Sequence, residues 1–163
     1  MNKYLIHISF FLFLFVFACE EDDENNTNLS GDPAVLQINT AKAQLDGEEV
    51  IFSDMIAGIL FGELQIEFST VSDAGPESIQ LIITNYNGTN MYRINQSSNL
   101  ASYKIYTDEG FEAYDASSGA IEITREEEGL IMGRFEFEAK KADGTVKSVT
   151  NGLFKAQYSV TGK

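Results

Sequence analysis

The chain has 163 residues, with 11 Lys and Arg against 25 Asp and Glu, which gives a formal net charge of −14. Such an acidic surface repels the phosphates of nucleic acids and anionic lipid head groups, so nucleic acid is excluded as a partner. The composition also includes one Cys, one His and no Trp. A single cysteine excludes any disulfide within the chain, so a folded domain has to be stabilised by its apolar core.

The first 18 residues have the three parts of an export signal. Lys3 supplies the positive charge, an apolar stretch of about 14 residues follows, and the small Ala18 precedes Cys19. The stretch is shorter than the roughly 20 residues that a membrane-spanning helix needs. Val16-Phe17-Ala18-Cys19 resembles a bacterial lipobox, in which the cysteine is acylated and becomes the mature N-terminus. We therefore predict a signal peptide over 1–18 and a membrane anchor of two or three acyl chains on Cys19.

Removal of this signal would also remove His7, the only histidine, and acylation would occupy the only thiol. The mature chain would then lack a Ser-His or Cys-His pair and the usual His and Cys ligands of zinc. We accordingly predict that the protein is not an enzyme and that it holds no metal and no cofactor. Carboxylate chemistry of the glycosidase kind is compatible with the composition.

Residues 19–32 are predicted to form a disordered tether. Cys19 is followed by an unbroken acidic run and then by polar residues, and the segment has too little apolar surface to fold. Acidic residues directly after a lipidated cysteine resemble the export signal of Bacteroidetes-type lipoproteins. That resemblance implies a lipid-anchored protein in the outer membrane, facing the cell exterior. The residues of this predicted export signal are Glu20, Glu21, Asp22, Asp23 and Glu24.

From residue 33 onward, short alternating segments predict β-strands. Residues 63–69, 120–124 and 131–139 each place apolar side chains at every second position, which is typical of a half-buried strand. Residues 55–61 and 79–84 are apolar on both sides, and this favours strands at the centre of a sheet. A short helix at 56–61 is the alternative for the first of these two segments.

Turn residues divide the strands. Asp46-Gly47 and Asp143-Gly144 predict tight hairpins, because both residues of such a turn tolerate positive φ. Residues 125–129 predict a hairpin loop with its three glutamates in solvent. A change in the inward phase predicts a β-bulge at Asn151-Gly152. With about nine or ten strands and no helical period, the predicted fold is all-β, a single antiparallel β-sandwich or barrel-like meander over residues 33–163.

The candidate ligand-binding residues are three tyrosines, Tyr103, Tyr106 and Tyr114. If their rings shared an exposed face, they could stack on the C–H surfaces of sugars. Aromatic residues on strands also commonly cover a sheet face with their hydroxyls in water. The acidic residues within 108–115 lack the spacing of a Ca²⁺-binding loop and are predicted to be solvated.

Three segments carry a family resemblance. They are Gly119-Ala120-Ile121-Glu122-Ile123-Thr124, Gly133-Arg134-Phe135-Glu136-Phe137-Glu138-Ala139 and Val149-Thr150-Asn151-Gly152-Leu153-Phe154. Together they resemble the C-terminal half of an uncharacterised family of Bacteroidetes-type surface lipoproteins, with a likeness that extends over 39–158. The resemblance implies a β-rich fold and a surface lipid anchor, and it brings no known activity.

Three functions fit these observations. The favoured one is non-catalytic binding of an extracellular protein or glycan by a domain held at the membrane. A second is a barrel that carries a small apolar ligand, which would need an internal cavity of a few hundred Å³. The third is a carboxylate glycosidase, which would need two acidic side chains in one cleft.

Overall fold

A computed structural model describes residues 29–72, 75–95 and 97–161. The predicted lipidation site Cys19 and the acidic export signal lie outside these residues. Within them the chain is almost entirely β, arranged as one curled sheet in the shape of a half-barrel. A 3-10 turn at Pro33–Val35 precedes the first strand.

The described chain forms eleven strands, two of them only three residues long, where nine or ten were predicted. They are β1 (Thr40–Leu45), β2 (Glu48–Phe52), β3 (Asp54–Leu60), β4 (Glu63–Ser72), β5 (Gly75–Ile83), β6 (Met91–Arg93), β7 (Asn99–Thr107), β8 (Gly110–Glu127), β9 (Leu130–Lys140), β10 (Val146–Gln157) and β11 (Ser159–Thr161).

The strand order explains the curl. The order is β11-β3-β4-β5-β7-β8-β9-β10-β1-β2, and β6 pairs with β8 beside this path. Neighbouring strands are antiparallel except β11, which runs parallel to β3. In this order β2 lies at one end, and β11 and β3 lie at the other. Ser53 alone separates β2 from β3, and Tyr158 alone separates β10 from β11, so two one-residue connections hold strands from the two sides of the sheet close together. The all-β prediction is confirmed, in the form of the barrel-like meander.

Phenylalanine rings fill the interior of the half-barrel. Phe52, Phe68, Phe135 and Phe154 are fully buried. The ring centroids of Phe52 and Phe68 lie 5.1 Å apart, and those of Phe68 and Phe135 lie 5.2 Å apart. These tilted contacts are the usual geometry of packed aromatic rings. A core filled in this way argues against a carrier of a small apolar ligand.

Hairpins form at both predicted Asp-Gly sites, and the predicted bulge is confirmed. Asp46 and Gly47 both have positive φ and join β1 to β2. Between β9 and β10 only Gly144 of the predicted pair has positive φ, and the connection covers residues 141–145, so this turn is longer than predicted. The pairing of β9 with β10 shifts register between Val149 and Gly152, and Asn151 has a φ of +52° at that point.

Two predictions need correction. The hairpin predicted at 125–129 is shorter, because β8 continues to Glu127 and leaves only Glu128 and Gly129 to turn. The segment 55–61 forms β3 followed by a turn at Phe61, so the alternative of a short helix is wrong. This strand is also not central, since the three-residue β11 covers one of its edges and Ile56 is 78% exposed. Apolar composition on both sides did not distinguish a buried face from an exposed one. The strand predicted at 79–84 is central, between β4 and β7.

The residues just before the first strand pack on the outer face of β9 and β10. Arg134 Nη1 donates to the carbonyl oxygen of Leu29 at 3.1 Å, and Ser30 Oγ donates to Asn151 Oδ1 at 3.0 Å. Leu29 is itself buried. Leu29 and Ser30, at the end of the predicted tether, therefore contact the folded domain.

Replacement of Phe61 by Asn is expected to stabilise the domain. Phe61 has a φ of +50° in the β3–β4 turn, where its ring is 82% exposed and gains little from burial. A left-handed backbone conformation is sterically unfavourable for an L residue, and among residues larger than Gly it is least unfavourable for Asn. We expect Phe61→Asn to raise the free energy of unfolding by about 0.5–1 kcal/mol in urea denaturation. If Phe61→Asn instead lowered the free energy of unfolding, the exposed ring would have to make a stabilising contact, and the prediction would be wrong.

Candidate binding site

The three candidate tyrosines do not form one exposed platform. Tyr103 on β7 and Tyr114 on β8 are cross-strand partners with ring centroids 5.9 Å apart, and both are buried. Tyr106 faces solvent with 36% of its surface exposed. Of the three residues, only Tyr106 therefore offers a ring to a ligand from solvent.

The hydroxyls of the two buried tyrosines are hydrogen-bonded to acidic side chains at one end of the half-barrel. Tyr114 donates to Glu112 Oε2 at 3.2 Å, and Tyr103 is hydrogen-bonded to Glu77. Burial is the first cause that raises the pKa of both tyrosines, and the carboxylate partner adds to it. Both phenols are consequently neutral donors at physiological pH.

Two lysines form ion pairs with carboxylates at the same end, one of them Glu112. Lys147 Nζ lies 2.7 Å from Asp46 Oδ2, and Lys141 Nζ lies 3.1 Å from Glu112 Oε1. The hydrogen bond from Lys147 lowers the pKa of Asp46, and that from Lys141 lowers the pKa of Glu112. These paired charges join the β1–β2 and β9–β10 turns to neighbouring strands. Their arrangement suits a structural role better than the capture of a free ion.

An exposed aromatic pair stands at the rim of this end. Tyr106 and Phe111 are cross-strand partners in the β7–β8 hairpin, with ring centroids 6.1 Å apart and planes inclined by 50°. Lys104 Nζ lies 6.0 Å from the centroid of the Phe111 ring. We call Tyr106 and Phe111 the aromatic lip. A groove of about 400 Å³ opens beside it, lined by Gly75, Pro76, Tyr106, Thr107 and Asp108.

Phe111 was missed as a candidate residue, although the sequence contains a signal for it. A hairpin turn centred on Asp108-Glu109 pairs Tyr106 with Phe111 and Tyr103 with Tyr114. Because side chains alternate along a strand, Tyr103 and Tyr106 then face opposite sides of the sheet. That register separates the buried pair from the exposed pair.

A second groove bears on the glycosidase hypothesis. It has a volume of about 370 Å³ and contains Glu136 and Glu138 together with Arg93. The two glutamates are two positions apart on β9 and therefore lie side by side on one face of the strand. Glycosidase carboxylates flank the scissile bond from two sides. The groove contains two acidic side chains, and the glycosidase hypothesis stays a prediction.

Residues 39–157 match the family described as a domain of unknown function, DUF6252. The chain belongs to the DUF6252 family. The matched range agrees closely with the extent of the resemblance inferred from the three glycine-containing segments. Comparison with curated proteins and with solved structures found no significant match. Membership fixes the family of the domain and assigns no activity to it.

The opposite end of the DUF6252 domain is tied by a second cluster of tyrosines. Glu126 Oε2 accepts a hydrogen bond from Tyr86 at 2.9 Å, and Glu126 Oε1 accepts one from Tyr158 at 2.6 Å. The Tyr92 ring packs on that of Tyr86 with centroids 6.0 Å apart. Glu126 was predicted to be a solvated loop residue, and the structure instead makes it the common acceptor of two phenols. We call Glu126, Tyr86 and Tyr158 the tyrosine latch.

Two further findings concern the part of the DUF6252 chain that the structure describes. This part of the chain contains no helix that is long and apolar enough to cross a bilayer. No group of three or more His, Cys, Asp or Glu side chains in these ranges is arranged to hold a metal ion.

Proposed function

We propose that this protein is a lipid-anchored cell-surface module that binds an extracellular glycan at the aromatic lip, without catalysing a reaction. The observation that carries the binding proposal is the exposed pair of Tyr106 and Phe111 beside an open groove. Two inclined rings offer apolar faces to the C–H surface of a sugar. Thr107 and Asp108 supply hydroxyl and carboxylate groups for the sugar hydroxyls.

The anchor proposal is supported by the sequence around Cys19. A short apolar segment, a small residue and a cysteine precede an acidic run, as in exported lipoproteins. Two or three acyl chains hold a protein firmly, whereas a single chain gives reversible binding. The absence of His and free thiols from the predicted mature chain supports a non-catalytic role.

Replacement of the lipidation site tests the anchor. Cys19→Ala is expected to move the protein from the membrane fraction to the soluble fraction, because the acyl chains have no other predicted attachment. The melting temperature of the released protein should equal that of detergent-extracted wild type. Fractionation of cells with the wild-type chain as reference checks this. Retention of Cys19→Ala in the membrane fraction would contradict the anchor.

A glycan screen tests the binding proposal. The Cys19→Ala protein should bind at least one glycan of a surface-polysaccharide panel saturably. Tyr106→Ala and Phe111→Ala should each weaken that binding by about tenfold or more, since truncation of an interface aromatic commonly costs about 2 kcal/mol. Titration calorimetry with the selected glycan gives the affinities.

Phe61→Ala is the matched control for this screen. Phe61 is an exposed phenylalanine at a hairpin turn, and it lies outside the aromatic lip and its groove. Its removal should leave glycan affinity unchanged. Saturable binding that is equally sensitive to all three substitutions, or no saturable binding on the panel, would sink the proposal.

A further inference from the structure

A second exposed surface, separate from the aromatic lip, lies on β3 and its turn. Large apolar side chains face solvent there, with Ile56 78% and Phe61 82% exposed. Leu60 is also exposed, on the same side of β3 as Ile56. We call Ile56, Leu60 and Phe61 the β3 apolar face. Several large exposed apolar side chains on one strand and its turn are of the kind that mark an interaction site.

The need for a stable fold does not explain why Phe61 is present on this face. It occupies the first position of a Phe61-Gly62 turn with φ of +50°, where tight hairpins prefer Asn, Asp or Gly. The corresponding position of the β1–β2 turn is held by Asp46. A bulky residue in this conformation is strained, and its ring is not buried in return. Such an outlier on an exposed tip indicates a role outside the fold.

Two grooves meet at this face and define its shape. One has a volume of about 390 Å³ and the other about 550 Å³, and both are lined by Ile56, Ala57 and Ser159. They therefore run on either side of the start of β11. Each can accept side chains from a bound segment, while Ile56 stands between them.

The negative charge of this region favours a partner with basic side chains. The sequence contains no Lys or Arg from Ala43 to Tyr92, a stretch that includes β2 to β5. Glu67 lines the smaller groove and Glu128 the larger, and neither groove includes a basic residue. Cationic side chains would thus find carboxylates and no competing lysine or arginine. A second copy of this chain, with its net charge of −14, and an anionic lipid surface would both be repelled.

We propose that the β3 apolar face docks a protein segment whose apolar side chains are flanked by Lys or Arg. The apolar side chains pack on Ile56 and Phe61, and the basic ones pair with Glu67 and Glu128. The surface is separate from the predicted glycan site, so this proposal goes beyond the proposed function and does not depend on it.

A peptide of alternating Val and Lys is the probe for this surface. Fluorescence anisotropy with the Cys19→Ala full chain should show saturable binding. Peptides of alternating Val and Glu, or of alternating Ser and Lys, should bind at least tenfold more weakly. Phe61→Asn and Ile56→Ser should each weaken binding of the Val-Lys peptide at least tenfold. Phe61→Asn should melt at the same or a higher temperature, which separates loss of the surface from loss of the fold.

Phe111→Ser is the matched control, because it removes an exposed phenylalanine from the aromatic lip and should leave peptide binding unchanged. Absence of saturable peptide binding would overturn the proposal, as would binding that persists in both Phe61→Asn and Ile56→Ser. Equal binding of the Ser-Lys peptide would show attraction by charge alone and would also overturn it. Phosphatidylcholine vesicles are included, and Phe61-dependent binding to them without peptide binding would assign the face to a lipid surface instead.

Discussion

Gly119→Ala is expected to lower the free energy of unfolding by about 3–5 kcal/mol, as measured by urea denaturation. Gly119 lies on β8 with a φ of +141°, a conformation that L residues rarely adopt. A Cβ at this position would stand 2.6 Å from Phe137 Cα and closer still to the carbonyl oxygen of Glu136. Both are backbone atoms of β9 and cannot turn away as a flexible side chain could. The substitution therefore forces the strands apart next to the phenylalanine core.

Gly110→Ala is the control that isolates the steric part of this effect. Gly110 begins β8 with a φ of +139°, almost the same as that of Gly119. A Cβ there would meet no heavy atom within 4 Å. Its substitution should cost only the backbone strain, about 1–2 kcal/mol. Equal losses for the two variants would show that strain alone, rather than the close approach of β9, makes Gly119 necessary.

The fold was predictable to the extent that local signals determine it. Alternation identified the half-buried strands, and Asp46-Gly47 and Asp143-Gly144 marked two hairpins. The change of phase before Gly152 located the bulge. The curl of the sheet, with the short connections at Ser53 and Tyr158, was not predictable in this way, because it depends on which distant strands meet. For the same reason the segment at β3 was mistaken for a central strand.

The candidate site was predicted less well, because exposure of an aromatic side chain depends on register. Tyr103, Tyr106 and Tyr114 have similar local surroundings in sequence, yet only Tyr106 is exposed. Phe111 acquires its place in the aromatic lip only through pairing with Tyr106. Similarly, Glu126 resembles Glu127 and Glu128 in sequence. Its distinct environment comes from Tyr86 and Tyr158, which are 40 and 32 positions away.

Glu126→Ala is expected to destabilise the domain by about 2–4 kcal/mol in urea denaturation near pH 8. The substitution leaves the hydroxyls of Tyr86 and Tyr158 without the carboxylate that accepts both hydrogen bonds. Hydrogen bonds to a charged acceptor contribute more than neutral ones. The bond from Tyr158 ties the β10–β11 connection to β8, and the bond from Tyr86 ties the β5–β6 connection to β8. Glu127→Ala is the control, because Glu127 is exposed and pairs with Arg125 at the surface. This substitution should change the free energy of unfolding by less than about 0.5 kcal/mol. Similar effects of the two substitutions would contradict the latch.

Alkaline pH provides an independent test of the same contact. The hydrogen bond to Glu126 is the first cause that raises the pKa of Tyr158 to about 12, and it also contributes to the raised pKa of Tyr86. A tyrosine with a raised pKa in the folded state stabilises that state fully below its unfolded pKa of about 10. This stabilisation is lost as the pH rises from about 10 through 12, because the unfolded chain releases its proton first. The difference in stability between wild type and Glu126→Ala should therefore be constant from pH 7 to about 9 and shrink above about pH 10. A difference that stays constant up to pH 12 would mean that Glu126 acts through packing and not through its hydrogen bonds to the two phenols.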